Sequence, residues 1–383
     1  MRVALVHDWL TGMRGGERVL EELIGLWPDA EIFTLLHVPG SVSPVIESRP
    51  IHASFIGRLP GVARRYRSLL PLFPAAIERF DLRGFDLVVS SSHCVAKGVR
   101  PPGAPHVCYC HTPMRYVWDL YDDYFGPGRA ALPVRLLMPA VAAWLRRWDR
   151  RTAARVDTFI ANSAHVRERI RRCYGRDAIV VHPPVDVERF RPAATREDFY
   201  LIVSALVPYK RVDLAIEAFN RLGRPLVIAG TGPELGRLRR IARPNIRFAG
   251  WLPDEEIADL YARCRAFIFP GIEDFGITAV EAQAAGAPVI AYGAGGALET
   301  VIGWDGRRAD ATGVFFDEAT PEALAAAVER ADRAPFDPAA LRASAERFSP
   351  HAFRQGMLDV VERLVSVDGD GAARVAAEGQ AGP

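Results

Sequence analysis

Short apolar runs recur along the chain, and between most of them the apolar residues fall at helical spacing. In the first half the runs are Val3–Val6, Glu31–Leu36, Asp86–Ser90, His106–Cys110, Thr158–Ala161 and Ile179–His182. Strands buried on both faces read this way. Val19, Leu20, Leu23, Ile24 and Trp27 mark one helix face after the first run. A second series follows, at Tyr200–Leu206, Pro225–Ala229, Ile246–Phe248 and Ala266–Phe269, with Val289-Ile290-Ala291 opening another run. Val212, Ala215, Ile216, Phe219 and Leu222 line a helix between its first two strands. Such alternation predicts an α/β protein with two doubly wound, parallel, Rossmann-like sheets. The proline-stiffened Pro183-Pro184-Val185-Asp186, with Arg191-Pro192 beyond it, is the boundary between them. The expected organisation is a first domain over 1–187, a second over 188–348, a helix over 349–366 marked by Phe353, Met357, Val360, Val361 and Leu364, and a Gly/Ala-rich disordered tail over 367–383.

Bulk properties narrow the classes without choosing one. At 383 residues, two domains are the better prior. Apolar content of 49% and charge of 25% are those of a soluble globular protein, and no apolar stretch reaches the length of a membrane span. Val3–Val6 is broken by His7 and Asp8 and is too short for a signal peptide, so the cytoplasm is the expected compartment. The net charge of +2 is uneven: residues 1–190 carry 26 Lys/Arg against 19 Asp/Glu, and the rest 22 against 27. The first half is therefore the one expected to meet an anionic surface or substrate. Five scattered cysteines argue against a disulfide framework. Cys108 and Cys110 share a strand face and read as core thiols, since no other Cys/His pair completes a metal site.

The chemistry-bearing residues sit just past strand ends. Gly12 to Gly16 forms a glycine-containing loop between the first strand and its helix, where backbone can approach a ligand closely. It is neither Gly-x-Gly-x-x-Gly nor a P-loop, which disfavours a dehydrogenase. His111 directly follows a strand, the position at which doubly wound folds bind ligands. Lys210 and Arg211 open a helix, where two cations oppose the dipole unless an anion sits there. Gly230-Thr-Gly232 and Gly250-Trp-Leu252 follow two further strands. The densest stretch is Gly271 to Ala291: strand end, loop with Glu273, Phe275 and Gly276, helix from Ile277 with Glu281 about one turn inside, stop at Gly286 and Pro288. A helix N-terminus suits a phosphate, and a carboxylate one turn in could hold a vicinal diol such as a ribose. Alone, such a pair is more often a loop carboxylate and a solvated helix charge. Taken together, cations and a helix N-terminus for a diphosphate, a carboxylate for a ribose and a polar loop beyond fit a nucleotide-diphospho-sugar.

Arg58–Phe73 and Arg135–Arg155 interleave arginines with Leu, Met and Trp. Such segments suit a surface of anionic lipid, or the solvated basic face of an ordinary packed helix.

These motifs resemble family 4 of the retaining GT-B glycosyltransferases along residues 1–365. Glu273 and Glu281 with seven residues between them, Phe275-Gly276, and Ala285-Gly-Ala-Pro-Val-Ile290 carry the likeness. Gly15-Gly-Glu-Arg-Val19, Asn162-Ser163, Pro183-Pro-Val-Asp186 and Pro208-Tyr-Lys210 support it. His7-Asp-Trp-Leu10 and His111-Thr-Pro-Met-Arg-Tyr-Val-Trp-Asp119 look like the bacterial O-antigen and exopolysaccharide mannosyltransferase branch. The resemblance implies a GT-B fold, two Rossmann-like domains facing a central cleft, with the C-terminal helix returning to the N-terminal, acceptor-side domain. It implies transfer of a hexosyl unit, mannosyl from GDP-mannose, to a glycan or lipid-linked acceptor in cell-surface polysaccharide synthesis, with no cofactor and no nucleic acid; no motif supplies a catalytic metal, so metal independence is expected. It implies that Glu281 holds the donor ribose, that Glu273 and the Phe275–Ile277 backbone hold the donor sugar, and that Lys210 pairs with the diphosphate. His111 would approach the sugar, Gly15 and Gly16 the phosphates or acceptor, and Arg211, Gly230 and Leu252 would complete the donor site. Many relatives carry an Arg five residues before the Lys; here that position is Ala205, and Arg211 is a candidate substitute. A UDP-sugar donor, and a hydrolase or epimerase of the same fold, remain alternatives; a sugar-binding protein would carry an export signal.

Overall fold

A computed structural model describes residues 1–378 apart from 102, 127, 129 and 130, with side chains to 364. The chain divides into two compact units, one of Met1–His182 with His351–Pro383, the other of Pro183–Pro350.

The first unit is built on a parallel sheet of seven strands: β1 (Val3–His7), β2 (Glu31–Thr34), β3 (Ile51–Ala53), β4 (Leu87–Ser92), β5 (His106–Cys110), β6 (Thr158–Ala161) and β7 (Ile179–Val180). Their order is β3-β2-β1-β4-β5-β6-β7, so β1 pairs with β2 on one side and β4 on the other. Every residue of β1, β4 and β5 is buried, the two histidines His7 and His106 included. Cys108 and Cys110 are buried free thiols on the same strand. β3 escaped the sequence reading because three residues with exposed His52 and Ala53 carry no apolar run.

The second unit holds six parallel strands: β8 (Tyr200–Val203), β9 (Leu226–Ala229), β10 (Ile246–Gly250), β11 (Ala266–Phe269), β12 (Val289–Tyr292) and β13 (Gly313–Phe316). Their order is β10-β9-β8-β11-β12-β13. Both sheets are therefore doubly wound, with strand order reversing at β1/β4 and β8/β11. β8 ends at Val203, yet the backbone goes on bonding along β9: the Ser204 amide donates to the Ala229 carbonyl at 3.0 Å and the Leu206 amide to Thr231 at 2.9 Å. A Thr320 side-chain cap and Pro321 open the Pro321–Arg333 helix, as the Thr-Pro-Glu sequence requires.

The last helix, Pro350–Glu378, belongs to the first unit. Phe353, Met357, Val360 and Val361 are buried with Leu5, Val107, Tyr109 and Ile160 in the core on one face of the seven-stranded sheet. The Phe353 ring meets Tyr109 edge-on at 5.5 Å, and Tyr109 meets His111 likewise at 5.2 Å. The tail expected over 367–383 lies outside the described side chains, and residues 379–383 lie outside the described residues. Among the described residues no helix is long and apolar enough to cross a membrane. Phe353→Ala removes a fully buried ring and should lower unfolding free energy by about 3–5 kcal/mol, read by urea titration; an unchanged midpoint would show that the helix does not complete this core.

Candidate active site

In the first unit, the C-terminal ends of β1, β4 and β5 bring three polar residues into contact, and the helix after β1 adds a fourth. Pairing in register sets His7 beside Ser91 and Ser91 beside Tyr109, with His111 two residues on. His7 Nδ1 lies 3.1 Å from Ser91 Oγ, and the same oxygen lies 2.8 Å from His111 Nε2. On its other side the buried His7 presents Nε2 to the Glu17 carboxylate at 3.7 Å. Glu17 stands in the first turn of the Gly15–Leu26 helix, so the glycine loop delivers it. A Cβ at Gly16 would sit 3.4 Å from His7 and 3.8 Å from His111. Gly16 thus lets the backbone lie against both rings. Burial pushes the Glu17 carboxyl up, but the neighbouring His7 imidazole outweighs it and leaves Glu17 below its ordinary value.

Asp8, the next residue, is fully buried. Its carboxylate accepts from four successive backbone amides, His93, Cys94, Val95 and Ala96, at 2.6 to 2.9 Å. His93 Nδ1 also lies 3.1 Å from it. This nest fixes the loop after β4 and answers the buried charge. Burial first, and the neighbouring His7 next, hold His93 well below the usual imidazole range. Asn162 donates to the His111 carbonyl at 3.0 Å, which fixes that backbone.

In the second unit, the loops after β8 and β11 meet at the strand-order reversal. Lys210 Nζ contacts Glu273 Oε2 directly, and both side chains are mostly buried. The approach depends on missing side chains: a Cβ at Gly271 would stand 2.8 Å from the Tyr209 carbonyl oxygen, and one at Gly296 would overlap the Phe275 backbone. Gly230 lies against the Ser204 carbonyl in the same way. Gly276, at φ +95°, turns the chain into the Ile277–Ala284 helix. From that helix Glu281 accepts from the Tyr261 hydroxyl at 3.1 Å, with the Arg189 guanidinium 3.5 Å away. Phe275 is buried in this unit's core, and Leu252 packs partly against it.

Arg211 is the only residue other than glycine at positive φ, +50°, among the described residues. Left-handed backbone at an Arg costs about 1–2 kcal/mol. Its Nε lies 3.5 Å from Asp213.

Lys210, Glu273 and Gly271 are thus gathered at one strand-order reversal, and Gly15, Gly16 and His111 at the other. The sequence reading did not single out Glu17, Ser91, His93, Arg189 or Tyr261 for the site. His7 and Asp8 carried the same signal as His111, a strand's C-terminal end. Ser91 and Glu17 carry none, because register and the glycine loop bring them in.

Comparison with known proteins follows this division. Residues 13–189 match the family model of Glycosyltransferase Family 4, and residues 185–348 that of Glycosyl transferases group 1. A GDP-mannose-dependent alpha-(1-6)-phosphatidylinositol monomannoside mannosyltransferase of Mycolicibacterium smegmatis is 33% identical over 224 residues, 50% of this chain and 56% of that protein. A D-inositol 3-phosphate glycosyltransferase of Streptomyces bingchenggensis is 33% identical over 37% of this chain and 38% of its own. The chain thus spans little more than half the length of the first of these curated relatives and less than half of the second. Among solved structures, HepE of Anabaena in complex with UDP aligns with a TM-score of 0.67 at 17% identity, over 95% of this chain and 100% of its own. Sucrose-phosphate synthase of Thermosynechococcus elongatus aligns at 0.71 and 18%, over 96% and 100%. These likenesses, with the two parallel sheets, show the α/β GT-B fold.

Glu17 tests the first cluster. Its folded pKa is lowered from 4.5, so it adds stability that is present above that value and lost as pH falls through the folded one. Glu17→Gln should destabilise near neutral pH, and its deficit against the unsubstituted chain should vanish on acidification. A deficit constant with pH would show that the carboxylate is not specifically stabilised.

Proposed function

We infer, from the matches to the Family 4 and group 1 glycosyltransferase models, a retaining glycosyltransferase that moves a mannosyl unit from GDP-mannose to a glycan or lipid-linked acceptor in cell-surface polysaccharide synthesis. The observation that carries this reading is the Lys210–Glu273 contact at the β8/β11 reversal, with Glu281 on the adjoining helix. An ammonium at that reversal stands where doubly wound sheets receive ligands. A donor diphosphate would take Lys210 from Glu273 and leave the carboxylate to the sugar hydroxyls. Glu281, already ordered by Tyr261, would receive the ribose diol. Arg211 would add the second cation in place of the absent arginine at Ala205. The rate would come from stabilising charge on the leaving diphosphate, in a site that excludes water. No covalent adduct on Glu273 is required, and no metal ion or cofactor takes part. The identity to a GDP-mannose-dependent relative favours the mannosyl donor.

The acceptor reading extends to a membrane surface. The Leu132–Thr152 helix buries Met138, Ala142, Leu145, Trp148 and Asp149 on one side. The opposite side exposes Leu132, Leu136 at 72%, Leu137 at 67% and Trp144 at 46%, followed by Arg147 and Arg151. Apolar residues to enter the lipid boundary and arginines for anionic headgroups suit peripheral attachment to an anionic bilayer.

Three outcomes check the reading. In a calorimetric screen GDP-mannose should bind and Glu281→Ala should weaken it by about tenfold or more, roughly one charge-assisted hydrogen bond; unchanged affinity would remove the ribose role, and a preference for UDP-sugars the mannosyl one. Lys210→Ala should lower kcat by about 10²–10³-fold, and EDTA should leave transfer intact; release of free mannose without acceptor glycosylation would instead indicate a hydrolase. Leu136→Glu with Leu137→Glu should abolish co-sedimentation with phosphatidylglycerol vesicles, and equal sedimentation of both proteins would refute the membrane face.

A further inference from the structure

Glu17, His7, Ser91 and His111 form a chain of contacts whose direction can be worked out. The buried His7 has one nitrogen toward Ser91 Oγ at 3.1 Å and the other toward Glu17 at 3.7 Å. A carboxylate repels a lone pair and attracts an N–H, so Glu17 selects the His7 tautomer protonated at Nε2. His7 Nδ1 is then an acceptor, and Ser91 must donate its hydroxyl hydrogen to it. The Ser91 oxygen, having given that hydrogen away, accepts from His111 Nε2–H at 2.8 Å. The opposite direction would aim the His7 lone pair at a buried anion. Each step follows from the inventory of donors and acceptors.

We propose that Glu17, His7 and Ser91 are positioning residues that fix His111 as its Nε2–H tautomer and carry away a proton accepted at its Nδ1. The proposal rests on the reading of His111 as the group beside the donor sugar. The transfer balances without an added reagent. A proton arrives at His111 Nδ1, the Nε2 proton passes to Ser91 Oγ, and the Ser91 hydrogen passes to His7 Nδ1. No bond between heavy atoms changes. The positive charge comes to rest on His7, where the Glu17 carboxylate faces it. The other groups around the cluster do not compete for this role. Asp8 is saturated by four amides, His93 faces Asp8 and is pushed toward neutrality by burial and by His7, and Tyr109 donates its hydroxyl to the Val181 carbonyl at 3.0 Å. Arg14 and Arg115 act on His93 as cations and disfavour charge there.

The test is tautomer assignment by two-bond nitrogen–proton couplings in the full chain labelled with 15N-histidine. At pH 7.5 His111 should carry its proton on Nε2 alone. Ser91→Ala and Glu17→Gln should each give a mixture of tautomers at His111, and Ser91→Thr, which keeps the hydroxyl, should restore the single form. In glycosyl transfer, Glu17→Gln should lower kcat, leave the donor KM unchanged, and move the acid limb of the rate profile down by about half a pH unit, because a cation on His7 is no longer favoured. A proton on His111 Nδ1, or a tautomer unmoved by both substitutions, overturns the proposal. If Glu17→Gln does not fold, Ser91→Ala decides, since it removes one oxygen. If the unsubstituted chain transfers no sugar, the glycosyltransferase reading fails while the couplings still decide the relay.

Discussion

The reversal of strand order within each parallel sheet is the constraint on which both clusters depend. Parallel neighbours need long crossovers, and crossovers that run to opposite edges part at one place. In the first unit that place lies between β1 and β4, where His7 and Ser91 are paired. In the second it lies between β8 and β11, where the loops carrying Lys210 and Glu273 diverge and touch. Neither arrangement is a property of a short motif. Each is what two loops can reach once the sheet has fixed their starting points.

Lys210 and Glu273 illustrate how a polar site survives without ligand. Each carbon stem is mostly covered, and either charge alone would be costly to hide. Together they neutralise one another and hold the two loops in place. On the proposed reading, a diphosphate would offer the ammonium a better partner and free the carboxylate. Asp8 solves the same problem with four amides and needs no counterion.

Much of this was legible in the sequence. Strands buried on both faces announce themselves as apolar runs, and eleven of the strands coincide with such runs or with most of them. The two short edge strands β3 and β13 do not. Glycines near Glu273 were legible as a loop, but not as the reason Gly271 and Gly296 must lack side chains, which requires the second loop in view. Glu17 and Ser91 were silent because helix delivery and strand register, each set by residues far away in sequence, bring them to His111. The side chains that touch Glu281, Arg189 and Tyr261, lie 92 and 20 residues from it and were silent for the same reason.

The return of the Pro350–Glu378 helix to the first unit has a consequence for the order in which the protein is made. The core beneath β1 and β5 lacks Phe353, Met357 and Val360 until they have been synthesised, after the whole of Pro183–Pro350 has emerged. At typical elongation rates that interval lasts on the order of ten seconds or more. The second unit can bury both faces of its sheet during this time, while the first waits with one face only partly covered, by the Gly15–Leu26 helix, and the Tyr109 ring that supports His111 still without Phe353. The domain that begins the chain is thus the last to be finished.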